Sequence, residues 1–170
     1  MQTIRLETNI HAPPGRCFDL ARSVDLHIDS TPGTGERAVA GRTSGLIGEG
    51  EQVTWEARHL GVLQRLTSKI TLFDPPGHFR DSQVEGAFRS FDHDHFFTTD
   101  PERPDVTVMT DVFSFVAPLG PLGWLAERLF LTAYMTRFLR VRAEIVKRAA
   151  EGPDWHRYTG APPPARRADG

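Results

Sequence analysis

His93 and His95 stand two apart in Phe91-Asp92-His93-Asp94-His95-Phe96-Phe97, and in an extended chain that spacing sends both imidazoles to one face, beside Phe91 and Phe97. Paired imidazoles can share a proton, polarise a carbonyl or supply two ligands to a metal. A zinc or iron site needs a third ligand at about 2 Å, which a His-x-His pair does not supply, so no metal is expected. His59 ends the row Val53, Trp55, Ala57, His59 and becomes a third imidazole only if both rows line one concave face. Asp81, Gln83 and Glu85 share one row of another segment, and Asp111 lies in a row of a further one. Either aspartate can pair with a histidine, and either can face water, where most carboxylates sit. Two readings of His93 and His95 follow. They are buried sheet residues satisfied by neighbours or a cavity water, or they line a cavity and orient a ligand carbonyl, serving as general acid or base if there is turnover.

Arg142 and Glu127 fall on the apolar stripe of a predicted helix, at about 40° and 20° from its centre. Charge there is costly unless paired. The two lie about 22 Å apart along the axis and cannot pair with each other. Arg142 therefore either reaches a ligand carboxylate, enolate or hydroxyl, or snorkels or pairs with Asp81 or Asp111. Cys17, the single cysteine, excludes an internal disulfide and reads as a buried thiol. Gly45-Leu46-Ile47-Gly48-Glu49-Gly50 lacks the Lys-Ser/Thr ending of a phosphate-binding loop, and there is no Gly-x-Ser-x-Gly elbow. Nucleotide and acyl-enzyme chemistry thus lack their usual parts, and no cofactor is expected.

These groups need a scaffold, and 170 residues suit one domain with a sizeable core. A formal charge of −2, from 20 basic and 22 acidic residues, favours small or neutral partners over nucleic acid. The first residues alternate polar and apolar, with no basic stretch leading into an apolar run, which predicts a cytoplasmic chain. The most apolar region, Val112 to Met135, is interrupted by Pro118, Gly120, Pro121 and Gly123 and makes a poor membrane span.

Ile4, Leu6, Thr8 and Ile10 alternate with polar residues as a half-buried strand does. Pro13-Pro14-Gly15 stops that strand, Pro14 opens a short helix, and Val24 to Asp29 forms another. Six further strands follow, at roughly 36–43, 51–60, 63–73, 78–87, 89–99 and 105–116. Their connections are too short for crossover helices, so the sheet is antiparallel. A helix from Pro121 to about Ala150 centres its apolar face on Phe138, with Trp124, Leu131, Tyr134, Met135, Val141, Ile145 and Ala149 around it. Residues 152–170 carry little apolar content and are expected to form a mobile tail after a domain of 1–151.

Strand, two short helices, six strands and a long terminal helix is an order that resembles the START-like superfamily, also called SRPBCC. Within it the chain is similar to the Bet v 1-like, polyketide cyclase/dehydrase-like and cell-division-inhibitor-like proteins. Three stretches carry the likeness: Val53-Thr54-Trp55-Glu56-Ala57-Arg58-His59, Gly86 through Phe96, and Met109-Thr110-Asp111 with Pro118-Leu119-Gly120-Pro121-Leu122-Gly123. The resemblance covers residues 1 to 150 and implies an α+β helix-grip fold, a curved seven-stranded antiparallel sheet wrapped around the long C-terminal helix. It implies a cavity for a small hydrophobic ligand such as a lipid, quinone or polyketide. The alternatives are a cyclase/aromatase or dehydratase acting on a poly-ketone without metal or nucleotide, with His93, His95 and Arg142 as candidate catalytic residues, and a protein-interaction module with a collapsed cavity. The expected ligand-binding set is Trp55, His59, Asp81, Gln83, Phe91, His93, His95, Asp111, Phe113, Tyr134, Met135, Phe138 and Arg142, in a monomer or homodimer. The ligand is expected to pass between the long helix and the loops at 30–35 and 61–62.

Overall fold

The computed structural model describes residues 1–31, 33–59, 61–117 and 130–160, with the side chain of His59 outside the described set. Seven strands, β1 (Gln2–Ile10), β2 (Arg37–Gly41), β3 (Gln52–His59), β4 (Val62–Asp74), β5 (His78–Glu85), β6 (Ser90–Thr99) and β7 (Thr107–Val116), form one sheet in the order β1-β7-β6-β5-β4-β3-β2. Every neighbouring pair is antiparallel, and each strand end lies within two residues of the sequence-based prediction. Register shifts in the β2–β3 and β4–β5 pairs add bend to an already twisted sheet. Just past the first of them Gly41 has φ +73°, and a Cβ there would lie 2.2 Å from the Gln52 carbonyl oxygen, so the end of β2 needs glycine.

Between β1 and β2 run α1 (Pro14–Ala21), opened by its proline, and α2 (Val24–Asp29), whose first turn is capped by the Ser23 hydroxyl accepting from the Leu26 N–H. Phe18 of α1 is the hub of the larger core cluster, with Phe73, Phe79 and Phe97 edge-on at ring-centroid distances of 5.4 to 5.7 Å. A second cluster of Ile4, Phe91, Phe113, Phe115 and Leu139 fills the other end. The long helix α3 (Thr132–Glu151) runs along β1 and against α1. No helix among the described residues is long and apolar enough to cross a membrane.

Two expectations are corrected. The buried face of α3 is Leu139, Ala143, Val146 and Ala150, about 100° around the helix from Phe138, and Val141 is 49% exposed. Large side chains dominated the predicted stripe, whereas two of the four buried positions are the small residues Ala143 and Ala150. The predicted start of this helix at Pro121, with Trp124 and Glu127, lies outside the described residues. The packed chain also continues past 152 into α4 (His156–Thr159). Trp155 lies under the Arg16 guanidinium at 4.5 Å, Tyr158 donates to Asp29, and the Ser23 hydroxyl donates to the Tyr158 carbonyl. Two aromatic rings were enough to dock this short segment. Residues 161–170 lie outside the described set.

Candidate functional site

Period-two alternation turns the odd residues of β5, β6 and β7 toward the helices, and the register then decides which of them meet. Asp81 of β5 lies directly opposite His93 of β6, and His95 lies opposite Asp111 of β7. One offset of two residues makes the cross-strand diagonals Asp81–His95 and His93–Asp111 as well. Two imidazoles are thereby held between two carboxylates, their rings 3.8 Å apart. His93 Nε2 lies 3.2 Å and His95 Nδ1 2.7 Å from Asp111 Oδ1. On the other side His95 Nε2 is 3.3 Å and His93 Nδ1 3.9 Å from Asp81 Oδ1. The short His95–Asp111 contact is poorly aligned, since that nitrogen makes no hydrogen bond of good geometry. His93, His95 and Asp111 are buried, and Asp81 is half-buried.

Burial and charge oppose each other here. Burial pushes the His95 imidazolium down, but the Asp111 and Asp81 carboxylates outweigh it and hold its pKa above the usual histidine value. His93, buried beside that cation, is pushed down despite Asp111. Burial raises Asp111, yet the His93 and His95 hydrogen bonds hold it far below the usual carboxylate range; Asp81 is lowered by His95 and His93 against the same burial. Between the pKa values of His93 and His95 the cluster carries two carboxylates, one imidazolium and one neutral imidazole.

Arg142 of α3 supplies the second cation. It lines both voids beside this cluster, one of about 10 Å³ with His93, His95, Asp111 and Leu139, and one of about 50 Å³ with Trp55, Ser68, Asp81, His95 and His27. Among the described residues it makes no hydrogen bond or ion pair, and its interactions with His27 and Asp81 act at longer range. The larger void holds a few waters or one small polar group, well below the several hundred Å³ that a whole ligand fills.

His27 was not anticipated. Its ring stacks on Trp55 at 3.9 Å, its Nε2 lies 3.1 Å from Glu36 Oε2, and burial with Arg142 lowers its pKa. The signal was present: His27 follows the buried Val24 by three residues, hence one turn along the same face of α2. Glu36 in turn sits between Gly35 and Arg37, which with Gly33, Thr34, Glu56, Arg58, Gly61, Leu63 and Tyr134 line an open groove of about 710 Å³. His27 and Trp55 line the polar void, and Glu36, which faces His27, is flanked in the chain by two groove residues.

The other predicted residues are dispersed. Phe91 and Phe113 belong to the second aromatic cluster, with Met135 packed against it. Gln83 donates to the Phe88 carbonyl at 2.8 Å, away from the histidines. Tyr134 lines the groove and Phe138 is half-buried. His59 is placed by its backbone at the end of β3, its side chain outside the described residues. Glu127 lies outside them too. Cys17 is buried, and burial pushes its thiol up to about 11, which leaves it unreactive.

No protein-family model matches the sequence, and no curated protein matches it. Solved structures do. TTHA0849 from Thermus thermophilus is 19% identical with a TM-score of 0.66, over 85% of this chain and 97% of that one. Major latex-like protein 151 from Panax ginseng is 16% identical with a TM-score of 0.60, over 89% and 98%. The Zhui aromatase/cyclase from a Streptomyces species is 15% identical with a TM-score of 0.61, over 86% and 94%. At these identities the likeness is one of fold.

Proposed function

Since the chain has the helix-grip fold of the START-like superfamily, we propose that it binds a small, largely apolar molecule with an acceptor oxygen at one end, that oxygen seated against Arg142 in the void between sheet and helix. One observation carries this reading: Arg142 lines both voids and makes no hydrogen bond or ion pair among the described residues, while the nearby carboxylates are already engaged by histidines. An arginine so placed has five donors to satisfy. The charge count selects the oxygen. With His95 protonated, Asp81 and Asp111 against His95 and Arg142 sum to zero, and a neutral carbonyl then fits better than an anion that would leave net negative charge in a buried site.

The 50 Å³ void takes only the polar end, so the apolar body must lie toward the groove, past the stacked His27 and Trp55. The groove beside residues 33–35 and Gly61 supports an approach of the ligand from that side. Titration of the protein with acetylnaphthalene and with ethylnaphthalene, which replaces the carbonyl by a methylene, tests the reading. The ketone should bind more tightly, and equal affinity would refute a dedicated oxygen site.

A second reading, enzymatic cyclisation or dehydration of a poly-ketone, is favoured by one feature: His95 shares a proton with Asp81, which lines the larger void and can pass that proton to an oxygen bound there. His95→Gln separates the two, because a binder retains ketone affinity within a few-fold and an enzyme loses turnover on a poly-ketone.

A further inference from the structure

The cluster presents three acceptor atoms to one another. If Asp111 Oδ1 accepts the ring N–H of both histidines, at 3.2 Å from His93 Nε2 and 2.7 Å from His95 Nδ1, the lone pairs of His93 Nδ1 and His95 Nε2 point to the opposite side. There they meet Asp81 Oδ1, 3.9 Å from the first and 3.3 Å from the second. Two imidazole lone pairs facing a carboxylate oxygen repel unless a cation lies between them. A single proton serves the His95–Asp81 leg and leaves His93 Nδ1 without a share of it.

We propose that Asp81, His93 and His95 form a binding site for one divalent first-row transition ion of the Zn²⁺ type, with Asp111 as the outer carboxylate that orients both imidazoles. The three ligand groups offer atoms that all lie within 4.8 Å of one another. An ion at about 2.1 Å from each spans ligand pairs up to about 4.2 Å apart, so the 3.3 and 3.9 Å separations already suit it. Two nitrogens and one carboxylate oxygen are a borderline-soft set that favours Zn²⁺, Co²⁺ or Fe²⁺ over Mg²⁺ or Ca²⁺. A carboxylate facing the far nitrogen of a ligating histidine is the usual outer partner in such sites, and here Asp111 hydrogen-bonds His93 Nε2 and lies 2.7 Å from His95 Nδ1 in the less well aligned contact. The sequence argued against a metal because a His-x-His pair supplies two ligands; the third comes from the neighbouring strand, through the Asp81–His93 register. The ion neutralises two buried carboxylates and leaves coordination positions open toward the Arg142-lined void. The ion takes the place of the proton that makes His95 an imidazolium, so the charge count of the ligand reading belongs to the metal-free protein, and the metal readouts contain no organic ligand.

The test is titration of the full chain, stripped with EDTA, with Co²⁺ and then Zn²⁺. One equivalent of Co²⁺ should bind with a dissociation constant of about 1 µM or tighter and give the intense visible bands of a four- or five-coordinate ion, displaced by Zn²⁺. Asp81→Asn and His93→Ala should abolish the bands. Asp111→Asn should weaken binding about 10- to 100-fold while keeping their shape. His78→Ala, which removes a histidine paired to Asp94 outside the cluster, should change nothing. Wild-type protein that shows only the spectrum of hydrated Co²⁺, or one-equivalent binding that His93→Ala leaves intact, overturns the proposal. The wild-type arm decides even if a cluster variant fails to fold.

Discussion

Arg142→Met is the most informative perturbation. Methionine retains the unbranched stem that packs in α3 beside Leu139 and Ala143 and deletes only the guanidinium. A hydrogen bond from a charged donor contributes about 1.5–3 kcal/mol, so a ketone seated against Arg142 should lose about 10- to 150-fold in affinity. Ethylnaphthalene, with no oxygen, should change by less than about 3-fold, because the methionine stem leaves its apolar contacts in place. Naphthoate should bind wild type more weakly than acetylnaphthalene at a pH where His95 is protonated, since the four charges then cancel. Fluorescence titration in EDTA at neutral pH measures all three, with far-UV circular dichroism as the folding control. The reasoning is refuted if the variant keeps the wild-type preference for ketone over hydrocarbon.

Further outcomes follow from the same contacts. Phe18→Ala removes the ring on which Phe73, Phe79 and Phe97 converge and should cost about 3–5 kcal/mol by urea unfolding; a loss under about 1 kcal/mol would show that the core collapses to fill the hole. His27 has a folded pKa below its ordinary 6.5, so on acidification the unfolded chain takes up that proton first and stability falls below about pH 6.5. His27→Gln should therefore lose less stability than wild type between about pH 7 and 5 in EDTA, and matching slopes would contradict the assignment. Tyr158→Phe removes the hydroxyl that donates to Asp29 and should cost about 0.5–1.5 kcal/mol by thermal unfolding, whereas a free tail would give no change.

The sheet was legible because alternation and turn residues are local signals. Ile4 to Ile10 and the row Phe91, His93, His95, Phe97 declared their buried faces without any knowledge of their partners. The pairing of Asp81 and Asp111 with the histidines was not legible. An aspartate on a strand looks the same facing water or facing a histidine, and only the β5–β6 and β6–β7 registers decide. The helix phase was misjudged for a related reason. Ala143 and Ala150 carry little hydrophobic weight in the sequence, yet they share the buried face with Leu139 and Val146, which leaves Phe138 on the flank. His27 showed its helical spacing, but a six-residue helix gave too few turns to make the face conspicuous. Trp155 and Tyr158 were hidden by the polar composition around them, although two aromatic anchors suffice where Arg16, Ser23 and Asp29 receive them.

Carbonyl-labelled acetylnaphthalene followed by ¹³C NMR puts the ligand reading to its most direct test. The account predicts a downfield carbonyl shift on binding, as a guanidinium donor produces, together with nuclear Overhauser contacts from the naphthalene ring to Trp55, and loss of that shift in Arg142→Met. A carbonyl resonance unmoved from its value in water, or ring contacts only with residues outside the groove and the Arg142-lined void, would contradict it.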